Sequence, residues 1–157
     1  MAIQAGDKIP SVTIKTTDMS DVKTDDLFGD KRVVLFAVTG AFTPTCSNEH
    51  LPGYIEHADA IRAKGVDDII CMSVNDAFVV KAWSDAHGAG DKVRFVADGS
   101  GDLTKALGLD FDGSAIGFGL RSQRFAAIVD NGTVTTIAVE DGPSFGVSSA
   151  EAILAAL

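Results

Sequence analysis

Val33-Val-Leu-Phe-Ala-Val38 is an unbroken apolar run near the start of the second fifth of the chain. A strand that is covered on both faces of a parallel sheet has this pattern, whereas a strand with one wet face alternates apolar and polar residues. The loop Thr39-Gly-Ala-Phe-Thr-Pro-Thr45 follows the run, and Cys46 follows the loop. The sequence therefore predicts a central strand whose carboxyl end leads directly to a cysteine.

Two further apolar runs follow the first, and segments of helical periodicity separate them. Strands that alternate with helices form parallel βαβ units with right-handed crossovers. The predicted strands are residues 69–74 and 93–97. The predicted helices run from about 43–44 to Gly65 with a kink or restart at Pro52, from a cap at Asn75 or Asp76 with Phe78, Val79, Ala82 and Trp83 on the apolar face, and over Asp102–Leu107.

The last part of the chain predicts an antiparallel hairpin and a closing helix. Residues 124–130 and 133–139 flank Asn131-Gly132, which accepts the positive φ angles of a tight hairpin turn. Ser148-Ser-Ala-Glu151 is typical of a capping box ahead of an apolar helix. We therefore expect a thioredoxin-like α/β fold, with a central mixed sheet of parallel βαβ units and a C-terminal antiparallel hairpin, flanked by helices. No linker or repeat divides residues 1–157, which predicts a single domain.

The overall composition excludes several classes of protein. The chain has 157 residues, of which 46% are hydrophobic and 22% charged, and a formal net charge of −9. This diffuse negative charge argues against binding to nucleic acid or to an anionic membrane. The sequence has neither a signal peptide nor an apolar run of about 18 residues, so we expect a cytoplasmic protein. Two cysteines with His50, His57 and His87 match no zinc spacing, so no metal or cofactor is predicted.

Cys46 occupies a position that favours reactivity. In the first turn of a helix, a cysteine faces unpaired backbone N–H groups and the positive end of the helix dipole, and both favour the thiolate. A dithiol redox motif would place a second cysteine at position 43, where this chain has Thr43. A threonine cannot form a disulfide, but its hydroxyl can bind a peroxide. Because the leaving oxygen of a peroxide needs donors, we expect Thr43, the Cys46 N–H and a cation to act together.

The stretch Gly40-Ala-Phe-Thr-Pro-Thr-Cys-Ser-Asn-Glu-His-Leu-Pro-Gly-Tyr54 resembles the active-site loop of type II (atypical) peroxiredoxins. Four later segments are similar to that family in the same order, so the resemblance covers nearly the whole chain. These segments are Cys71-Met-Ser-Val-Asn-Asp-Ala-Phe78, Trp83, Val96-Ala-Asp98 and Arg121-Ser-Gln-Arg-Phe125.

The resemblance implies a thiol peroxidase with a thioredoxin-like fold, commonly a homodimer. Cys46 would be the peroxidatic cysteine that becomes a sulfenic acid, Thr43 would bind the peroxide, and Arg124 would be the active-site cation. Hydrogen peroxide and small alkyl hydroperoxides are the expected substrates, because a loop after a strand offers a shallow pocket. The residues that we expect to support the site are Pro44, Thr39, His50 and Arg121.

Two departures from the family pattern affect the expected chemistry. The family motif has a proline that shields the sulfur seven residues before the cysteine, where this chain has Thr39, and this difference predicts a wetter site. Members that resolve their own sulfenic acid carry another cysteine near the C-terminus, and residues 145–149 contain none. The prediction is a one-cysteine cycle in which an external thiol reduces Cys46. Resemblance to plant and bacterial members suggests glutaredoxin with glutathione, and thioredoxin is the alternative.

Other interpretations remain open at this point. Cys71 lies in an apolar strand, where free cysteines are usually inert. His50 follows Cys46 by four residues and suggests a cysteine hydrolase, although a helix-capping or dimer-contact role is preferred because no third group orients the ring. Arg121 is expected to face solvent. A redox-signalling or chaperone-like binding module with slow turnover is the alternative to an efficient peroxidase.

Overall fold

A computed structural model describes residues 1–157. The strands are β1 (Thr13–Thr16), β2 (Asp21–Lys23), β3 (Arg32–Ala37), β4 (Asp68–Ser73), β5 (Arg94–Ala97), β6 (Asp110–Asp112), β7 (Leu120–Ser122), β8 (Phe125–Asp130) and β9 (Thr133–Val139). The helices are α1 (Thr24–Phe28), α2 (Leu51–Ala63), α3 (Ala77–Ala86), α4 (Asp102–Leu107) and α5 (Ala150–Ala156), with a π-turn over Cys46–His50 and a 3₁₀ turn over Ser114–Ile116. No helix is long and apolar enough to cross a bilayer.

The main sheet has seven strands in the order β2-β1-β5-β4-β3-β8-β9. β3, β4 and β5 are parallel, while β8 and β9 form the antiparallel hairpin beside β3. The α/β thioredoxin-like fold is thus confirmed, and the predicted strands lie within one residue of the observed ones. β4 rather than β3 is the middle strand. The N-terminal hairpin of β1 and β2, and the small separate sheet of β6 and β7, were not predicted.

The apolar run of β3 is unbroken because both faces of the sheet are covered. Alternate side chains point to opposite faces of a strand. Val34 and Phe36 belong to the core under α2, α3 and α5, whereas Val33 and Leu35 belong to the core under α1 and α4. Cys71 of β4 shares the first core with Cys46, and therefore lies beneath the active-site turn.

The apolar face of α3 differs from the predicted one. Asp76 caps the helix as expected, since its carboxylate accepts the Val79 N–H at 3.0 Å. The buried residues, however, are Ala77, Val80 and Trp83, while Phe78 is 72% exposed and Ala82 is also exposed. The buried stripe follows i, i+3 and i+6, so the predicted face was rotated by about one residue, or roughly 100°.

The cap of α5 is also displaced by one residue from the predicted position. Ser149, not Ser148, accepts the N–H of Ala152 at 3.1 Å. The Ser148 hydroxyl instead donates to Glu140 at 2.6 Å. A carboxylate from the end of β9 has therefore taken the serine that the capping box would have used.

Pro52 changes the helix that carries Cys46, as predicted, but by widening one turn. Pro44 and Thr45 are helical, and the π-turn follows, in which the Leu51 N–H donates to the carbonyl of Cys46. α2 then continues with Pro52 in its first turn, where a missing N–H is tolerated. Single π-turns inside helices are rare, and those that occur are often found at functional sites.

Strand pairing and one tryptophan position the segments around Cys46. Ala37 at the end of β3 pairs with Phe125 at the start of β8, so Arg124 lies beside the loop that follows β3. On the other side, the indole N–H of Trp83 donates to the Ser47 hydroxyl at 2.9 Å and links α3 to the π-turn.

We expect Trp83→Phe and Ser47→Ala to be energetically coupled. Both changes remove the same hydrogen bond, which is worth about 1 kcal/mol of unfolding free energy. The measurement is urea unfolding followed by circular dichroism for both single variants and the double variant, so that the loss of ring volume in Trp83→Phe cancels in the cycle. Purely additive losses would show that the bond adds no stability.

Candidate active site

The loop between β3 and the π-turn is held in a fixed shape by its own hydrogen bonds. The Thr43 N–H and hydroxyl both donate to the carbonyl of Gly40, at 3.3 and 2.7 Å. The Ala41 N–H donates to the Asn75 side chain at 2.9 Å, which ties the loop to the end of β4. Phe42 has a φ of 64° and is exposed. The Thr43 hydroxyl hydrogen is thus used within the loop, and its lone pairs remain available.

Cys46 lies at the start of the π-turn, and none of its surface is exposed. Nη2 of Arg124 is 3.1 Å from its sulfur. A guanidinium that donates to sulfur stabilises negative charge there. The sequence predicted a wetter site because of Thr39; Thr39 does line a cavity beside the site, while the sulfur itself is fully enclosed.

Arg124 is surrounded by acceptors from two segments, the loop after β3 and the π-turn. Nη2 contacts the Thr39 hydroxyl at 3.3 Å in addition to the Cys46 sulfur, and Nη1 contacts Nδ1 of His50 at 2.9 Å. The guanidinium carbon lies 5.8 Å from the ring centroid of Phe145. These contacts fix the plane of the guanidinium and direct one N–H at the sulfur.

His50 supports Arg124 and cannot act as a base toward Cys46. Its Nε2 lies 3.0 Å from the Ser148 carbonyl, which only accepts, so Nε2 carries the hydrogen and Nδ1 accepts from Arg124. Burial, together with the charge of Arg124, lowers the pKa of His50 to about 3. Both ring nitrogens are occupied and the residue is 0% exposed. The predicted helix-capping or dimer-contact role is therefore wrong, and the hydrolase interpretation loses its base.

Glu140 and Ser148 complete a hydrogen-bonded chain that sequence reasoning missed. The Glu140 carboxylate accepts from the N–H groups of Gly146 and Ser148, at 2.8 and 2.7 Å, and from the Ser148 hydroxyl. Burial opposes the charge of Glu140, but these hydrogen bonds outweigh it and hold the pKa below its usual value. The Ser148 carbonyl accepts from Tyr54 at 2.8 Å as well as from His50. The only sequence signal was a glutamate at the end of an apolar strand.

Arg121 is half-buried and does not face solvent, which corrects the prediction. Its Nη1 donates to the backbone carbonyl of Thr39 at 3.2 Å, and its Nε donates to the carbonyl of Phe118 at 3.0 Å. The guanidinium lies 4.9 Å above the Phe118 ring. A side chain at Gly40 would overlap Arg121 Nη1 and would displace it from this position. Arg121 thus joins the 118 segment to the loop that bears Thr39.

A cavity of about 570 Å³ opens in front of Arg124. Its polar walls include Thr39, Thr43 and Arg124, which were all predicted from the sequence, together with Thr45, Gln123 and Glu140, and Pro44 also lines it. The apolar wall comes from the unpredicted segment around β6 and β7, with Pro143 from the C-terminal loop. Its residues are Phe111, Ile116 and Phe118. The cavity can hold a small polar molecule against the polar wall and a short apolar group against the other.

Cys71 is enclosed in the sheet, as the sequence predicted. It is 1% exposed. Burial, and then the negative charge of a Cys46 thiolate, raises the pKa of the Cys71 thiol well above its usual value. A neutral thiol is a poor nucleophile, so Cys71 has neither the charge nor the access that a resolving cysteine needs.

Comparison with known proteins gives consistent relatives over the full chain. The Redoxin family profile matches residues 4–154. Peroxiredoxin-2D of Arabidopsis thaliana is 50% identical, covering 99% of this chain and 98% of that protein. Peroxiredoxin-2E-2, chloroplastic, of Oryza sativa is 48% identical, covering 99% of this chain and 72% of that protein. The crystal structure of reduced Prx3 of Vibrio vulnificus in complex with H₂O₂ is 55% identical, with a TM-score of 0.95 and 99% coverage of both chains.

We expect replacement of His50 to flatten the stability of the protein between pH 7 and 5. The unfolded histidine, with a pKa of about 6.5, takes up a proton as the pH falls, while the folded one stays neutral down to about pH 3. Folding stability therefore decreases below about pH 6.5, by about 1 to 2 kcal/mol at pH 5. Unfolding free energies of wild type and His50→Asn at both pH values measure this. Equal slopes for the two proteins would contradict a neutral buried His50.

Proposed function

The chain belongs to the redoxin family as a type II peroxiredoxin, and from that premise we propose that Cys46 is its peroxidatic cysteine. Thr43 and Arg124 are proposed to bind the peroxide with it, and Pro44, Thr39, His50 and Arg121 to support the site. The observation that carries the proposal is the 3.1 Å contact between Arg124 Nη2 and the Cys46 sulfur in a closed site. A cation at this distance both favours the thiolate and lies beside the oxygen that develops charge.

The proposed reaction is a displacement at oxygen. The Cys46 thiolate attacks the terminal oxygen of the peroxide, an S–O bond forms as the O–O bond breaks, and the electron pair leaves on the other oxygen. The sulfur is oxidised by two electrons to a sulfenic acid, and the leaving hydroxide or alkoxide takes a proton from water. Arg124 and the backbone N–H of Cys46 would stabilise the charge that develops on the leaving oxygen.

Hydrogen peroxide and small alkyl hydroperoxides are the proposed substrates. The cavity has a polar wall where the oxygens would lie and an apolar wall that suits a short alkyl group. The hydrogen peroxide complex of the Vibrio vulnificus relative supports the smaller substrate. A role as a slow redox-signalling or chaperone-like module is less well supported, because the ordered contacts around the sulfur are those that fast chemistry requires.

The proposed cycle uses one cysteine and an external thiol. Cys71 is neutral and enclosed, and the sequence contains no third cysteine. A first thiol would condense with the sulfenic acid to a mixed disulfide and release water, and a second would displace Cys46 as the thiolate. We propose glutathione with glutaredoxin as the reductant, and thioredoxin as the alternative.

We propose that residues 1–157 act as a single domain and that two copies form a homodimer, as many peroxiredoxins do. We also propose a cytoplasmic location, while three relatives carry chloroplastic or mitochondrial names.

The first test separates the two cysteines. Stopped-flow mixing with one equivalent of hydrogen peroxide, with mass spectrometry of the trapped sulfenic acid, is expected to show rapid oxidation at Cys46 in wild type and in Cys71→Ala. Cys46→Ser should consume no peroxide, and alanine is chosen at position 71 to avoid a buried hydroxyl without a partner. Slow oxidation of the wild-type sulfur, no faster than that of a free thiol, would refute the peroxidase.

The second test concerns the reductant. With Cys71→Ala, steady peroxide turnover is expected in the presence of glutathione and glutaredoxin, because no internal thiol is required. The measurement is NADPH consumption coupled through glutathione reductase, with thioredoxin and its reductase in a parallel assay. Turnover by Cys71→Ala only with thioredoxin would reject the glutaredoxin proposal, and loss of all turnover despite normal oxidation of Cys46 would reject the one-cysteine cycle.

A further inference from the structure

We propose that the Thr39 hydroxyl is a further donor to the leaving oxygen of the peroxide, and that it directs the site toward hydrogen peroxide rather than bulky apolar hydroperoxides. The inference rests on the proposed peroxidase function of Cys46. It concerns a position where this chain departs from the proline of the family motif, so it is a property of this chain and not of the motif.

Thr39 and the sulfur share one nitrogen of Arg124. Nη2 is 3.1 Å from the Cys46 sulfur and 3.3 Å from the Thr39 hydroxyl oxygen. Nη2 carries two hydrogens, so each of these acceptors can take one, and Nη1 is directed at His50. The hydroxyl and the sulfur therefore both lie beside Nη2 of Arg124. Thr39 also lines the cavity in front of Arg124.

The hydroxyls of Thr39 and Thr43 have opposite capacities toward a bound peroxide. The Thr43 hydroxyl donates to the Gly40 carbonyl at 2.7 Å, so toward a bound peroxide it can only accept. The Thr39 hydroxyl accepts from Arg124 and has no other partner within the protein, so its own hydrogen is free to donate. A hydroxyl that accepts from a cation is polarised into a better donor. Thr43 is thus suited to accept a hydrogen bond from the hydrogen of a peroxide, and Thr39 to donate one to its leaving oxygen.

The Thr39 hydroxyl also acts as a donor on the cavity side, in place of an N–H of Arg124. One Nη2 hydrogen is directed at the sulfur and the other at Thr39, so Nη2 of Arg124 would stabilise the leaving oxygen through its positive charge, and the hydrogen bond would come from Thr39. The Thr39 hydroxyl passes the positive potential of Arg124 on to the next oxygen in the cavity. A proline at this position has no hydroxyl and cannot do so.

The same hydroxyl makes the wall selective. When hydrogen peroxide is attacked, the leaving oxygen carries only a hydrogen, and its other lone pairs can accept from Thr39. When a bulky hydroperoxide is attacked, the leaving oxygen carries an apolar group. This group would lie against the Thr39 hydroxyl and exclude the water that solvates the hydroxyl, which is unfavourable. An apolar side chain at position 39 would reverse this preference by contacting the alkyl group.

The experiment compares Thr39→Val, which exchanges the hydroxyl for a methyl of similar shape, with Thr39→Ser, which keeps the hydroxyl. The second-order rate constants of Cys46 oxidation by hydrogen peroxide and by cumene hydroperoxide are measured by stopped flow. Thr39→Val is expected to lower the rate with hydrogen peroxide about tenfold, since a lost donor to a developing oxyanion commonly costs that much or more. The rate with cumene hydroperoxide should fall less, because the new methyl contact with the apolar group partly offsets the lost donor.

Thr39→Ser should keep the wild-type ratio of the two rate constants, and Thr39→Pro should shift it in the direction of Thr39→Val. An unchanged ratio in Thr39→Val, whether both rates are unaltered or both fall together, would overturn the inference while wild type remains a fast peroxidase. Slow oxidation of the wild-type protein by both peroxides would overturn the proposed function, and the inference with it.

Discussion

The guanidinium of Arg124 is the group on which the arrangement around Cys46 depends. A cation that is partly removed from water must be surrounded by acceptors, or its burial is unfavourable. Here the acceptors are the sulfur, the Thr39 hydroxyl and Nδ1 of His50, and they come from the loop after β3 and from the π-turn. The antiparallel pairing of β8 with β3 brings Arg124 to them across 74 to 85 residues of chain. Sheet register, more than any local motif, therefore decides where the positive charge lies.

Arg124 is held in turn by a chain of residues in which each polar group has its own hydrogen-bond partner. The chain Glu140, Ser148, His50 and Arg124 leads from the C-terminal loop to the sulfur. Each member has a single favourable protonation state, with a carboxylate at one end and a neutral imidazole in the middle. Such fully connected networks make an orientation unique, because any rotation leaves a buried polar atom without a partner.

Much of the fold was predictable from the sequence, because long apolar runs and the Asn131-Gly132 turn are local signals. The short strands of β1, β2, β6 and β7 were not predicted, since runs of three or four mixed residues have no clear period. Cys46, Thr43 and Arg124 could be named from motifs, but the partner of His50 could not. Its role depends on Arg124 and Ser148, which are 74 and 98 residues away. Glu140 was invisible for the same reason.

Because the Cys46 sulfur is completely enclosed, the size of each reactant decides how it reaches the sulfur, and the oxidising peroxide and the reducing thiol differ in size. A peroxide has two oxygen atoms and can reach an enclosed atom through thermal breathing of the surrounding side chains. A thiol carried by a tripeptide or a protein cannot, and needs the first turn of the helix to open. The π-turn is the segment that would have to move, since it begins at Cys46. Oxidation and reduction would then take place in different conformations of one short segment. The rearrangement between these conformations would limit the rate of the whole cycle.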